Sequence, residues 1–126
     1  SAVSNHVRLY AAQLGIDLWR NNSGGFYDDK GRFVRYGLGN FTEKDGVKSS
    51  DFIGITPLII TAEMVGCTAG IFTAVEMKET GWHLTKGDKR GLAQKKFIDI
   101  VKKAGGYAGF ATDTQDLIRI LRNETR

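Results

Sequence analysis

Glu76 and Lys78 stand two residues apart at the end of the apolar run Gly70–Lys78 (GIFTAVEMK), and Asp51 heads a second apolar run, DFIGITP, 25 residues before Glu76. Side chains alternate faces along a strand, so an extended 70–78 segment sets Phe72, Ala74, Glu76 and Lys78 on one face and Ile71, Thr73, Val75 and Met77 on the other. Charges at the end of a buried strand are costly unless paired or used. If the two apolar runs form neighbouring strands, Asp51 and Glu76 converge on one divalent cation. Hard cations such as Mg2+ and Mn2+ are held by one or two carboxylates together with water and substrate phosphate. A cation so held acidifies water, and a lysine beside it orients or deprotonates that water and offsets the charge gathering on a phosphate. Asp…Glu-x-Lys is therefore a minimal set for phosphodiester hydrolysis. As a bare string E-x-K reads more commonly as an ion pair on an exposed strand. The apolar runs that carry these acids set this instance apart.

Other chemistries lack their residues. Cys67 is alone, and His6 and His83 are the only histidines, which leaves neither an internal disulfide nor a cysteine or histidine zinc cage. Cys67 reads as a small core residue and His83 as a solvated loop residue, while Ser49 and Ser50 read as supports for the strand entry at Asp51 rather than as nucleophiles.

Charge points to a polyanion. Residues 78–103 hold eight Lys and Arg against three acids, a net of +5 in a chain whose formal charge is +4. Such a segment is the footprint of a phosphate-bearing partner, and equally the pattern of a solvated helix face. On the first reading Lys86, Lys89, Arg90, Lys95 and Lys96 contact DNA. Arg20, Asn21 and Asn22, at the end of the segment DLWRNN, either contact a phosphate or cap a turn. Arg32, Arg35 and Tyr36 lie where a duplex can pack, Tyr36 reading equally as a half-buried strand residue.

The elements that must position these groups follow from periodicity and punctuation. At 126 residues, 41% hydrophobic and 25% charged, the chain reads as one globular domain. Its apolar runs fall far short of the ~20 residues of a membrane span and no signal segment opens it, which implies a soluble, intracellular protein. Val3, Val7, Tyr10 and Leu14 recur at helical spacing up to Gly15 and predict a first helix over about 3–14 with one buried stripe. DLWRNN reads as a strand, and GGFYDDKGRFVRYGLGN as a hairpin turning at Asp28-Asp29-Lys30-Gly31. Asn40–Ser50 reads as a polar loop. DFIGITP is a short strand ended by Pro57, and LIITAE extends it or pairs beside it. Gly70–Lys78 has the pattern of a central strand, apolar on both faces. A loop over 81–91 leads to a helix marked by Ala93, Phe97, Val101 and Ala104 and closed by Gly105-Gly106. YAGFAT is a further strand, and Thr112 with Gln115 reads as a capping box opening a last helix.

SSDFIGITP, GIFTAVEMK and Gln94 in LAQKKFIDIVKKAGGYAGFATD, together with the upstream WRNNSGGF…GRFVRYGLGN, resemble the virus-type replication-repair nuclease (VRR-NUC) domain of the PD-(D/E)XK superfamily. The likeness is to its stand-alone phage and bacterial members and runs over nearly the whole chain. It implies a single restriction-endonuclease-like α/β domain over 1–126, with a central mixed β-sheet flanked by helices. It also implies a homodimeric, Mg2+- or Mn2+-dependent endodeoxyribonuclease acting on branched DNA, foremost four-way (Holliday) junctions, in the cytoplasm of a bacterial or phage-infected cell. By the same resemblance Asp51, Glu76 and the Met77 backbone carbonyl are metal ligands, Lys78 is the catalytic lysine, and Gln94 is a helix residue facing the site. Members often carry a glutamate in the first helix, whereas residues 1–14 contain no Asp or Glu. Either that acid lies upstream of residue 1 or the metal is held with fewer carboxylates. The rival readings are a nuclease of flaps or other branched DNA, a nucleic-acid-binding module with a decayed site, and a small-molecule metal hydrolase. The complete Asp51, Glu76 and Lys78 set speaks against decay, and the basic segment against a small neutral substrate.

Overall fold

The computed structural model describes residues 2–38, 44, 46 and 50–122. Over these the protein is mixed α/β, in the order α1 (Ala2–Gln13), β1 (Asp17–Arg20), β2 (Gly24–Tyr27), β3 (Phe33–Tyr36), β4 (Phe52–Ile55), β5 (Thr73–Met77), α2 (Lys89–Lys103), β6 (Tyr107–Ala111) and α3 (Thr114–Leu121), with a 3-10 turn at Ala62–Met64. The strands pair two by two: β1 with β4 and β2 with β3 antiparallel, β5 with β6 parallel. The chain divides into two compact units, Ser1–Thr56 and Pro57–Arg126. The polar loop read over Asn40–Ser50, Ser49 included, lies outside the described residues apart from Lys44, Gly46 and Ser50.

In the first unit α1 lies against β1, and β1 runs beside β4 with Arg20 opposite Phe52. Gly54 permits the closeness of that pairing, because a Cβ there would strike the Asp17 carbonyl. The expected buried stripe of α1 is not what the helix buries. Val3, Val7, Tyr10 and Leu14 are exposed, Val3 by 71%, and the buried residue is Ala11. Two four-residue strands offer too narrow a face to cover a stripe about three turns long, and the small Ala11 makes the close approach. The hairpin turns where expected. The Gly31 N–H donates to the Asp28 carbonyl (3.0 Å), and the Asp28 carboxylate accepts from the backbone N–H of Lys30 (3.0 Å) and Arg32 (2.8 Å) and from Arg32 Nε (2.8 Å).

The second unit is a β-α-β crossover followed by a helix. A parallel pair cannot close through a tight turn, and α2 carries the chain from β5 back to β6. Asp88 caps α2 by accepting from the Gly91 N–H (2.8 Å), so the helix starts at Lys89, four residues before the Ala93 that opened its predicted stripe. Ile98, Val101, Ala108, Ala111 and Ile120 form the core. α3 is capped by Asp113, which accepts from the Asp116 N–H (2.8 Å), rather than by Thr112. Thr112 instead donates both its N–H (2.9 Å) and its hydroxyl (3.0 Å) to the Asp116 carboxylate, which is 3% exposed and also bonded to Arg119 (3.1 Å). The carboxylates win because Asp113 and Asp116 accept more strongly than a hydroxyl or an amide.

Two predicted strands differ. LIITAE forms no strand, and Ile59 and Ile60 are 87% and 80% exposed. Pro57 has no N–H to offer a ladder, and the segment behind it ends in the 3-10 turn. Among the described residues β5 has one ladder partner, β6, and is half-buried rather than covered on both faces. The five-residue ladder leaves Ile71 before it and Met77 at its end exposed.

The turn yields a pH prediction. The Arg32 backbone N–H, ahead of the Arg32 guanidinium and the Lys30 N–H, holds the Asp28 carboxyl below its ordinary value of 3.8, slight burial opposing. A lowered carboxyl pKa stabilises the fold above the ordinary value and loses that contribution as pH falls through the lowered one. The amide resonances of Lys30 and Arg32 are therefore expected to titrate with a midpoint below 3.8, and Asp28→Asn to abolish that transition. A midpoint at or above the ordinary value would contradict it.

Candidate functional site

β5 delivers Glu76 and Lys78 to its carboxyl end. Glu76 lies opposite Phe110 in the parallel ladder, and the Lys78 N–H extends that ladder by donating to the Ala111 carbonyl (2.8 Å). Met77 stands between them as the last residue of β5, its side chain exposed. α2 then brings Gln94 onto Glu76: Gln94 Nε2 donates to Glu76 Oε1 at 2.8 Å. The helix returns the chain over the strand end it left, which is how two residues 18 apart come into contact.

The two charges of Glu76 and Lys78 do not neutralise each other. Neither belongs to an ion pair among the described residues. The Lys78 ammonium instead lies over two aromatic rings, 4.9 Å from the centroid of Trp82 and 5.8 Å from that of Phe110. Trp82 and Phe110 themselves pack with centroids 4.6 Å apart. The ion pair that a bare E-x-K suggests is replaced by an amide donor for the acid and ring faces for the base.

Glu76 and Gln94 line a cavity of about 390 Å³ with Ala74, Val75, Arg90, Ala93, Phe97 and Ile98. Gln94 Oε1 is buried and accepts no hydrogen bond from the described residues. A buried acceptor left without a donor is expensive, and here it sits beside a carboxylate. A cavity lined by a carboxylate and an amide fits a hard cation or ordered water. Among the described residues no three His, Cys, Asp or Glu side chains gather; the carboxylate and amide that line this cavity are hard oxygen donors.

Asp51 belongs to the first unit, and its neighbours were among the sequence candidates. Ser4, Arg20, Asn21, Asn22, Ser23, Ser50, Asp51 and Phe52 line a cleft of about 260 Å³. The Asn21 N–H donates to the Asp51 carbonyl (2.8 Å), Asn21 Nδ2 donates to the Ser50 carbonyl (2.8 Å), and Arg20 Nε donates to Asn22 Oδ1 (3.0 Å). The RNN segment is thus tied to the start of β4, and the Asp51 side chain is exposed. Ser4 gave no signal in the sequence; it is the α1 residue that faces this cleft.

The remaining candidates are dispersed. Arg90 joins the Glu76 cavity from the first turn of α2. Lys86, Lys89 and Lys96 are exposed, while Lys95 is paired with Asp99 one turn on. Arg35 lies over the Phe33 ring, 5.0 Å from its centroid, on the exposed hairpin. Cys67, expected in the core, is exposed, because the segment around it forms no helix or strand to bury it. Sequence reasoning missed Trp82 and Phe110 as partners of Lys78; the signal for Trp82 is the spacing Lys78-x-x-Gly81-Trp82, a glycine turn directly behind the strand end. No family model, curated protein or solved structure matches the chain.

This geometry predicts where energetic coupling lies. In a double-mutant cycle read by urea denaturation, Glu76→Ala and Gln94→Ala are expected to couple by about 1.5–3 kcal/mol, as for a hydrogen bond to a charged group. Glu76→Ala and Lys78→Met are expected to couple by less than about 0.5 kcal/mol. The reverse ranking would show that the strand ion pair forms after all.

Proposed function

We propose that this chain is a metal-dependent endodeoxyribonuclease of branched DNA, a restriction-endonuclease-like domain of the VRR-NUC type. The observation that carries the reading is the separation of Glu76 from Lys78. A carboxylate fixed by Gln94 beside an orphaned amide oxygen, with an uncancelled ammonium on the same strand end, has the donors for a hard cation and the charge for a phosphate.

Asp51 and Glu76 are the carboxylate ligands in this reading, with the Met77 carbonyl as a further oxygen. Gln94 holds the Glu76 carboxylate in one orientation, the role of an outer-shell partner, which is worth about 10–100-fold in affinity in known metal sites. A bound Mg2+ or Mn2+ supplies acidified water and a counter-charge to the phosphate. Lys78 meets the charge that develops on the phosphoryl oxygens as water attacks phosphorus and the bond to the 3′ oxygen breaks, leaving 5′-phosphate ends. Arg90, on the wall of the same cavity, contacts a phosphate oxygen in this reading, and Lys86, Lys89 and Lys96 extend the basic surface along the loop and α2. Arg20, Asn21 and Asn22 contact the backbone beside Asp51, and Arg35 contacts it from the hairpin.

The hairpin supports a homodimer. An isolated two-stranded hairpin is marginal in water, and this one leaves Phe26, Tyr27, Phe33 and Tyr36 exposed. Two nicks placed symmetrically across a four-way junction need two active sites, which a two-fold dimer supplies.

The test is a panel of labelled single-strand, duplex, flap and four-way-junction DNAs incubated with Mg2+ or Mn2+. The wild type is expected to be dimeric by light scattering and to cut junctions best. Asp51→Ala and Glu76→Ala are expected to abolish cleavage while keeping fold and DNA binding, and Lys78→Ala to bind metal yet lose most of the rate. Cleavage by either acid variant overturns the ligand assignment. A monomer that prefers flaps would replace the junction reading with that of a one-site flap nuclease.

A further inference from the structure

Lys78 is followed by Glu79-Thr80-Gly81-Trp82, and this short segment turns back on itself. The Trp82 N–H donates to the Glu79 carbonyl at 3.0 Å, and Gly81, third in the turn, has φ +84°. A side chain at that φ is strained, whereas glycine adopts it freely. The turn folds Trp82 beneath the lysine that precedes it, four residues away, and its ring meets the Lys78 ammonium at 4.9 Å. From β6, Phe110 arrives by strand register: as the ladder partner of Glu76 it packs against Trp82 at 4.6 Å and reaches the same ammonium at 5.8 Å. Two elements of separate origin, a turn and a neighbouring strand, thus converge on one nitrogen.

We propose that Trp82, backed by Phe110, is a positioning residue for Lys78: the ring pair holds the lysine ammonium at the exit of β5, apart from Glu76. A lysine has four rotatable bonds and, left alone beside a carboxylate two residues away, swings onto it. The negative ring faces attract the ammonium without neutralising it and exclude the water that competes for it. Half-burial of Trp82, Phe110 and Lys78 strengthens that attraction over a fully solvated contact. The catalytic consequence rests on the nuclease reading above; the placement of the lysine does not.

The experiment uses the full chain with 13C-labelled lysine. The Lys78 ε-methylene resonance, assigned by its loss in Lys78→Met, is expected well upfield of the other lysines because of the ring currents. Trp82→Leu returns it to the ordinary lysine position, Trp82→Phe keeps part of the shift, and Gly81→Ala, which adds a methyl with no neighbouring atom within 4 Å, reduces the shift by straining the turn alone. An unshifted wild-type resonance, or one indifferent to Trp82→Leu, overturns the placement. In single-turnover cleavage at saturating Mn2+, Trp82→Leu is expected to lose about 10–100-fold in rate, the size of a small misplacement of a reacting group. The metal affinity and DNA affinity stay unchanged, and Trp82→Phe recovers most of the rate. A full rate in Trp82→Leu despite the lost shift overturns the positioning role while leaving the nuclease intact. A wild type that cuts no DNA overturns the nuclease reading and with it the catalytic half of this proposal, and the resonance still decides the placement.

Discussion

The parallel pairing of β5 with β6 is the constraint on which the candidate site depends. Because a parallel neighbour cannot be reached through a hairpin, the chain must leave the end of β5, cross over and return in the same direction. That crossing is α2, and it places Gln94 on Glu76. The register then sets Phe110 beside Glu76, and the ladder's continuation through Lys78 to Ala111 fixes the backbone of the lysine. Ile98 and Val101 bury the same helix that carries Gln94, so core packing and site assembly share one element.

Energetics favours keeping the two charges apart. An exposed ion pair contributes roughly 0.2–1 kcal/mol. A hydrogen bond to a charged group contributes about 1.5–3 kcal/mol, and a cation over an aromatic face about 0.5–2 kcal/mol. Gln94 and the Trp82–Phe110 pair together therefore outweigh the strand ion pair they displace. The result is a carboxylate held by an amide and an ammonium held by aromatic rings at one strand end, the arrangement on which the proposed nuclease reading rests.

Much of this was legible because it depends on local chemistry. The hairpin turn is written in Asp28 and Gly31, the last strand in the apolar run before Thr112, and the presence of α3, though not its cap, in the spacing of Thr112 and Gln115 ahead of Leu117, Ile118 and Leu121. Glu76 and Lys78 were singled out by their position on an apolar run, and Asp51 by its own. What resisted reading depends on how much surface a partner offers. The stripe Val3, Val7, Tyr10 and Leu14 is a faithful helical period, but periodicity does not say whether a face wide enough to bury it exists, and β1 with β4 is narrow. The apolar pattern of Gly70–Lys78 says how the strand can be covered and not how long its ladder is. Trp82 escaped because its role depends on a backbone reversal at Gly81, which spacing alone marks only faintly. Asp113 rather than Thr112 caps α3 because two adjacent candidates compete, and their ranking rests on charge.

The central claim is that the Glu76 carboxylate, oriented by Gln94, is the seat of a divalent cation. Substoichiometric Mn2+ added to the 15N-labelled protein without DNA tests it most directly, since a paramagnetic ion broadens resonances near it. The account predicts selective broadening of the Glu76, Met77 and Lys78 amides and the Gln94 side-chain amide, reversed by excess Mg2+. Broadening confined to other acidic residues, or none at these positions at saturating Mn2+, would contradict it.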